Sequence, residues 1–385
     1  MSDRVGDQLR IQGVSTRKQL KEFISLPQRI YADDPNWVTP LWFEQKHRLT
    51  GKNPLFQHAT WQAWLAYKGS RVVGRISAQI DDLYLKTHDD ATGFFGLIEA
   101  DDDPEIFALL LRTAEGWLRE RGMQRICGPF NLSINEECGL LIDGYDTPPF
   151  TMMGHARKYC DGRIAEQGYG KATDLFAYQI DPDFEIPPVM QRLLTRLDDK
   201  IHVRTLRRKE MQQELEILRD IFNDSWSGNW GFTPFTQAEF TDIGELLTML
   251  IDDDFIQIAE IGGEPVAMIV AVPDINQAIS GLRGRLLPFG WLKILWRMKV
   301  RFPDRARVML MGVRKQYQNS RLGSALAFVV MDKARRALIR RKVTNVEMSW
   351  ILEGNKGMRG IIESIGGDPY KRYRIYEKDL ASSSR

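Results

Sequence analysis

Residues able to move a proton concentrate in one stretch. Between Gly128 and His155 the chain reads Gly128-Pro129-Phe130-Asn131, then Ser133, Asn135, Glu136, Glu137 and Cys138. Glu136, Glu137 and His155 are candidate general bases, and Asn131, Ser133 and Asn135 are candidate partners for a hydroxyl or an amide. The same Asn and Ser residues beside Gly and Pro also make turns, and paired glutamates also serve as solvated surface. Cys138 is a lone thiol, the type that more often packs than attacks. His47, His58, His88 and His202 lack metal-ligand spacing, so no metal site is expected.

Two matching sets of elements position these groups. Residues 65–81 (LAYKGSRVVGRISAQID) align without gaps on 258–274 (IAEIGGEPVAMIVAVPD), each predicting strand, glycine turn, strand. Each half then has an amphipathic helix ending in basic residues, expected at 104–121 and 321–341, with Leu322, Leu326, Val329 and Val330 on one face of the second. Short strands are expected near 123–128 and 343–350. A glycine near each half's end, Gly168 or Gly366, precedes a tyrosine by ten residues, Tyr178 or Tyr376. The pattern predicts a duplicated α/β (α+β) fold, two units with mostly antiparallel mixed sheets flanked by helices, over 1–182 and 183–385.

Val308–Val313, the loop Arg314–Gly323 and the following helix resemble the GCN5-related N-acyltransferases. That family's Gln/Arg-x-x-Gly-x-Gly/Ala signature is matched here by Gln318-Asn319-Ser320-Arg321-Leu322-Gly323. Such a loop aims backbone N–H groups and a helix N-terminus at a pyrophosphate. The resemblance implies a donor site made of Val313, Gln318, Asn319, Ser320, Arg321, Leu322, Gly323 and Ser324, with Asn355 supporting it. Arg321 replaces the signature's first glycine, and Ile362 stands where the family often has an acidic tyrosine. The first half begins its helix with Asp101-Asp102-Asp103-Pro104, which would repel a pyrophosphate. The donor is therefore expected in the second half, and the first is read as a degenerate copy serving the acceptor or as scaffold.

The run from Gly128 to Gly139, followed by Asp143-Gly144-Tyr145-Asp146-Thr147-Pro148-Pro149, resembles a bacterial group of tandem acyltransferase-fold proteins that includes proposed ceramide synthases. The resemblance implies an N-acyltransferase using acyl-CoA or acyl carrier protein, with an amine acceptor of the long-chain sphingoid type. The alternatives are aminoacyl or peptidyl transfer by a tandem relative, and a non-catalytic ligand-binding protein of the same fold.

The 385 residues carry 53 basic and 51 acidic side chains, for a net charge of +2, which offers no general nucleic-acid footprint. The charge is unevenly placed: residues 1–180 hold 21 basic and 24 acidic side chains, leaving the excess of base to the second half, where the phosphate-bearing donor is expected. No apolar run reaches transmembrane length, and Met1–Arg10 has no signal-peptide core, so the expected location is cytoplasmic. Residues 281–302 contain six Lys or Arg and no acid. A helix over 290–302 would align Trp291, Ile294, Leu295, Met298 and Phe302 on one stripe and Lys293, Arg297 and Arg301 on another. This composition suits a surface helix packed on its core, a cap over an acyl chain, or a membrane-surface contact of a protein peripheral to the inner membrane.

Overall fold

The computed structural model describes residues 8–197 and 199–380, and all of their side chains but those of 246–250. In chain order the first elements are β1 (Leu9–Gly13), α1 (Arg17–Ile30), α2 (Trp42–Arg48), β2 (Ala59–Lys68), β3 (Arg71–Asp81), α3 (Asp82–His88) and β4 (Thr92–Ala100). There follow α4 (Pro104–Arg119), β5 (Arg125–Gly128), β6 (Phe130–Asn131), β7 (Glu137–Cys138), β8 (Leu140–Asp143), α5 (Tyr159–Ala165) and β9 (Gly170–Ile180). The later part runs α6 (Pro188–Leu197), β10 (His202–Thr205), α7 (Met211–Trp226), α8 (Gln237–Leu250), β11 (Ile256–Ile261), β12 (Glu264–Pro273) and α9 (Ile275–Ile279). It ends with α10 (Gly290–Lys299), β13 (Arg305–Val313), α11 (Arg321–Arg340), β14 (Asn345–Leu352), α12 (Lys356–Ser364) and β15 (Asp368–Asp379).

Two compact units result: Met1–Leu175 with Lys371–Arg385, and Phe176–Tyr370. Their strand orders correspond. The first unit runs β1-β2-β3-β4-β5-β15, and the second runs β10-β11-β12-β13-β14-β9. In both, the parallel pair is the fourth and fifth strand, β4 with β5 and β13 with β14. The hairpins turn at Gly69, Gly262 and Gly263, all at positive φ, which only glycine adopts without strain.

Each unit thus takes its sixth strand from the other half of the sequence. Tyr376 on β15 donates its hydroxyl to Asp161 of α5 at 2.5 Å in the first unit. Tyr178 on β9 bonds Glu363 (3.0 Å) and accepts from Arg359 (2.9 Å) on α12 in the second. Tyr178 and Arg359 stand in the same places as Tyr376 and Asp161, so the repeat includes the exchanged strands.

The helices on each sheet form for local reasons. Asp103 caps α4 by accepting the Glu105 N–H at 2.9 Å, and Pro104 occupies the first helical position, where a missing N–H costs nothing. Ser320 caps α11, whose Leu326, Val330, Ala334 and Leu338 recur every four residues and are buried in the second unit's core.

The basic insertion departs from its expected arrangement. Helix α10 ends at Lys299, and the single stripe is split: Met298 is buried and Phe302 half-buried, while Trp291 and Leu295 face solvent. Arg297 does not extend a basic row. It turns inward and donates to the carbonyls of Ala278 (2.8 Å) and Ser280 (2.7 Å), neutralising the C-terminal end of α9.

Candidate functional site

In the second unit, β13 and β14 pair only from Arg305–Asn345 to Val308–Met348. Both strands run on, to Val313 and Leu352, without pairing to each other, which leaves an opening between them. A register shift in β12–β13 pairing between Val270 and Ala271 accompanies the divergence. The chain then turns through Arg314–Ser320 into α11. Gln318 holds this turn, its amide donating to Ser225 O (3.0 Å) and Val313 O (2.8 Å). Asn319 sits at φ 57. Ser320 donates to Tyr317 O (2.5 Å) and accepts the Gly323 N–H (3.0 Å).

Gly323 permits this closeness, because a Cβ there would lie 2.1 Å from the Tyr317 carbonyl oxygen. Helix geometry leaves the Arg321 and Leu322 amides without an intrahelical partner. Arg321 is exposed and Ser324 half-exposed beside them. The loop thus joins free amides, a helix N-terminus and a guanidinium, a set that fits a pyrophosphate. Asn355 caps α12 by accepting the Met358 N–H at 3.1 Å. Ile362 is fully buried.

The corresponding opening of the first unit is filled by its own chain. β4 and β5 pair from Thr92–Arg125 to Phe94–Cys127, but β6 then lies against β4. Asn131 accepts the Leu97 N–H at 2.8 Å, and a Cβ at Gly96 would lie 1.8 Å from Phe130 O. Gln79 clamps the plug by donating to Phe130 O and Leu132 O. The three acids before α4 are also engaged: Asp101 with Arg29 and Arg71, Asp102 with Arg163, and Asp103 as the cap.

Around the plug stands an ionic cluster. Arg48, at the end of α2, reaches Glu136 at 2.9 Å and Glu137 at 3.3 Å, and donates to Asn131 O at 3.1 Å. Asn131 donates to Glu137 at 3.1 Å, and Asn53 reaches the other oxygen of Glu136 at 3.5 Å. Burial raises the Glu136 carboxyl above its ordinary value, against the pull of Arg48. Burial likewise raises Glu44, which feels Arg48, Glu137 and Glu136. Burial works against the Arg48 charge, yet Glu137, Glu136 and Glu44 together raise its pKa. Three carboxylates sharing one guanidinium carry surplus negative charge, an environment that attracts an ammonium and can take its proton.

The structure therefore joins Asn131, Glu136 and Glu137, and adds Glu44, Arg48 and Asn53. Arg48 carried no local sequence signal, since its partners are more than eighty residues away. Ser133 accepts the Asn135 N–H at 3.0 Å within a turn. His155 belongs to a different set of contacts, with its Nε2 2.9 Å from Asp34 and its ring against Tyr31. Burial depresses the His155 pKa despite Asp34, so the ring is neutral near pH 7. Burial pushes the Cys160 thiol up to about 12 and raises Cys127 further, which suits neither to nucleophilic attack. Among the described residues, no group of three or more His, Cys, Asp or Glu is placed to hold a metal ion. No described helix is long and apolar enough to cross a membrane.

The chain matches no model of a known protein family. It is 48% identical over 381 residues to the bacterial ceramide synthase of Caulobacter vibrioides, covering 98% of this chain and 99% of that one. It is 46% identical over 381 residues to Protein YghO of Escherichia coli K12, covering 99% and 98%. Among solved structures, the fold is similar to a tandem GNAT protein from the clavulanic acid biosynthesis pathway, with TM-score 0.56, 12% identity, and coverage of 98% and 100%. It is also similar to a GCN5-related N-acetyltransferase from Sphaerobacter thermophilus, with TM-score 0.52, 14% identity, and coverage of 97% and 96%.

Proposed function

The chain belongs to the bacterial tandem GCN5-related N-acyltransferase family that includes the Caulobacter vibrioides bacterial ceramide synthase, and we propose that it moves an acyl group from a thioester donor onto an amine. The donor is acyl-CoA, with acyl carrier protein as the alternative carrier. The acceptor is a long-chain sphingoid-type amine, a choice motivated by the name of the 48%-identical relative. Such an amine partitions into a bilayer, so the enzyme works from the cytoplasm, peripheral to the inner membrane.

One contrast carries the reading: the opening between β13 and β14 is followed by a capped helix start, whereas Asn131 and Phe130 occupy its counterpart in the first unit. The second unit is accordingly the donor unit, with the amides of Arg321 and Leu322 meeting pyrophosphate. Val313, Gln318, Asn319, Ser320, Gly323 and Ser324 shape that turn, and Asn355 supports it from α12. The first unit serves the acceptor. Glu137, the more exposed of the pair, takes the ammonium's proton, with Arg48 and Asn131 holding its carboxylate in place. Asn131, Ser133 and Asn135 hold the loop that receives the acceptor, and His155 is the remaining candidate base.

The neutral amine then attacks the thioester carbonyl. A C–N bond forms, the C–S bond breaks, and the thiol leaves carrying a proton. Direct attack is favoured over an acyl-cysteine because all three cysteines are buried, and burial holds Cys127 and Cys160 protonated.

The test is incubation of the full chain with a sphingoid base and either palmitoyl-CoA or palmitoyl-acyl carrier protein, with the amide read by mass spectrometry. An amide product formed from at least one donor is expected. The absence of product from both, together with transfer of an aminoacyl group from its carrier, would overturn the assignment.

A further inference from the structure

The surface of α10 is inverted relative to a helix packed on its own core. Leu287 and Phe289, on the approach to the helix, are 77% and 72% exposed. Trp291, Leu292, Leu295 and Trp296 continue the apolar surface at about half exposure each. Leu292, Leu295 and Trp296 follow i, i+3, i+4 spacing and so share one face. The packing falls to buried Met298 at the edge of this face and to Arg297, which points inward from the opposite side.

Around this face stand Arg283, Arg285, Lys293, Lys299 and Arg301, all exposed, and 281–302 contains no acidic residue. Isolated surface apolar residues are ordinary, but a contiguous aromatic and aliphatic patch with a rim of one charge marks an interaction site. The rim chooses the partner. A second copy of the chain would bring like charges together, and a nucleic acid would leave two tryptophans and two leucines without an apolar environment. An anionic bilayer satisfies both parts, with headgroups meeting the cations and the acyl region taking the side chains.

We infer that residues 287–300 form an interfacial anchor that docks the second unit on anionic lipid, with Phe289, Leu292, Leu295 and Trp296 reaching below the headgroups. The inference rests on the peripheral location proposed above, and it is separable from acyl transfer because none of its residues belongs to the donor loop or the carboxylate cluster.

The experiment is co-sedimentation of the full chain with phosphatidylcholine vesicles and with mixed phosphatidylcholine–phosphatidylglycerol vesicles, while palmitoyl-CoA binding is measured in parallel without vesicles. The mixed vesicles should bind strongly and the neutral ones weakly, with binding falling as salt rises. Lys293→Gln with Lys299→Gln should weaken it roughly five-fold per charge, and Leu295→Ser with Trp296→Ser at least ten-fold. Both variants should keep wild-type binding of palmitoyl-CoA. Vesicle binding unchanged in both variants, or equal on the two lipid mixtures, would overturn the anchor. So would concentration-dependent self-association removed by Leu295→Ser with Trp296→Ser, which would make the patch an interface between copies. Loss of donor binding in wild type would count against the transferase reading and leave the vesicle result standing.

Discussion

Replacing Arg48 by methionine gives the most informative perturbation of the first unit. The substitution keeps an unbranched, apolar stem and removes the guanidinium that faces Glu136 at 2.9 Å and Glu137 at 3.3 Å. The Arg48 and Glu136 side chains are only 15% and 12% exposed, so water screens little of what is lost. Breaking a buried pair by removing one partner costs about 3–5 kcal/mol. For a unit of this size that corresponds to a fall in Tm of about 6–20 °C.

The cost depends on pH in a definite direction. Glu136 and Glu44 already titrate above their ordinary values, through burial, and Arg48 is the chief influence holding them down. Without it the folded state binds protons still more tightly than the unfolded chain. Stability is then highest below the unfolded carboxyl value and falls as pH rises towards the folded pKa. The penalty of the Arg48→Met variant should therefore be full at pH 8 and much smaller at pH 5. Thermal melting of both proteins at the two pH values measures it. A difference below about 1 kcal/mol at pH 8, or one independent of pH, would refute the charge argument.

Four other outcomes are expected. Glu137→Gln should lower kcat by about 10²–10⁴-fold with donor affinity unchanged, as read from initial rates and calorimetry. His155→Asn should flatten the stability profile on its acid side. The depressed His155 pKa, set by burial, gives stability that is complete above about 6.5 and lost as pH falls through the folded value, and melting from pH 7 to 5 tests this. Tyr178→Phe and Tyr376→Phe should each cost about 1–3 kcal/mol in denaturant unfolding, because each removes a hydroxyl bonded to charged groups. Gly116→Ala should stabilise α4 by about 0.5–1 kcal/mol in the same assay, because an added Cβ meets nothing within 4 Å.

What the sequence disclosed was local. The hairpin glycines, the aspartate and serine caps, and the glycine before each terminal strand act over a few residues, so the duplicated fold was readable from spacing. The exchange of β9 and β15 was not, because matching strands follow matching helices in both halves and the pattern is indifferent to which sheet each joins. Asn131 was recognisable as important but not as a plug, since its partner, Leu97 N, lies 34 residues away. Arg48 and Glu44 lie on a short helix of mixed composition, and their partners on the 128–139 segment are distant in sequence. In α10 the apolar residues were evident, but which side faced solvent depended on Arg297 finding the end of α9.

The central claim is that the second unit holds the donor while the first, filled by its own chain, cannot. Calorimetric titration with palmitoyl-CoA tests both halves of that claim at once. One donor should bind per chain, and Gly323→Val, which forces a side chain against the Tyr317 carbonyl, should weaken it by at least ten-fold. Two donors per chain, or one donor bound equally well by Gly323→Val, would contradict the account.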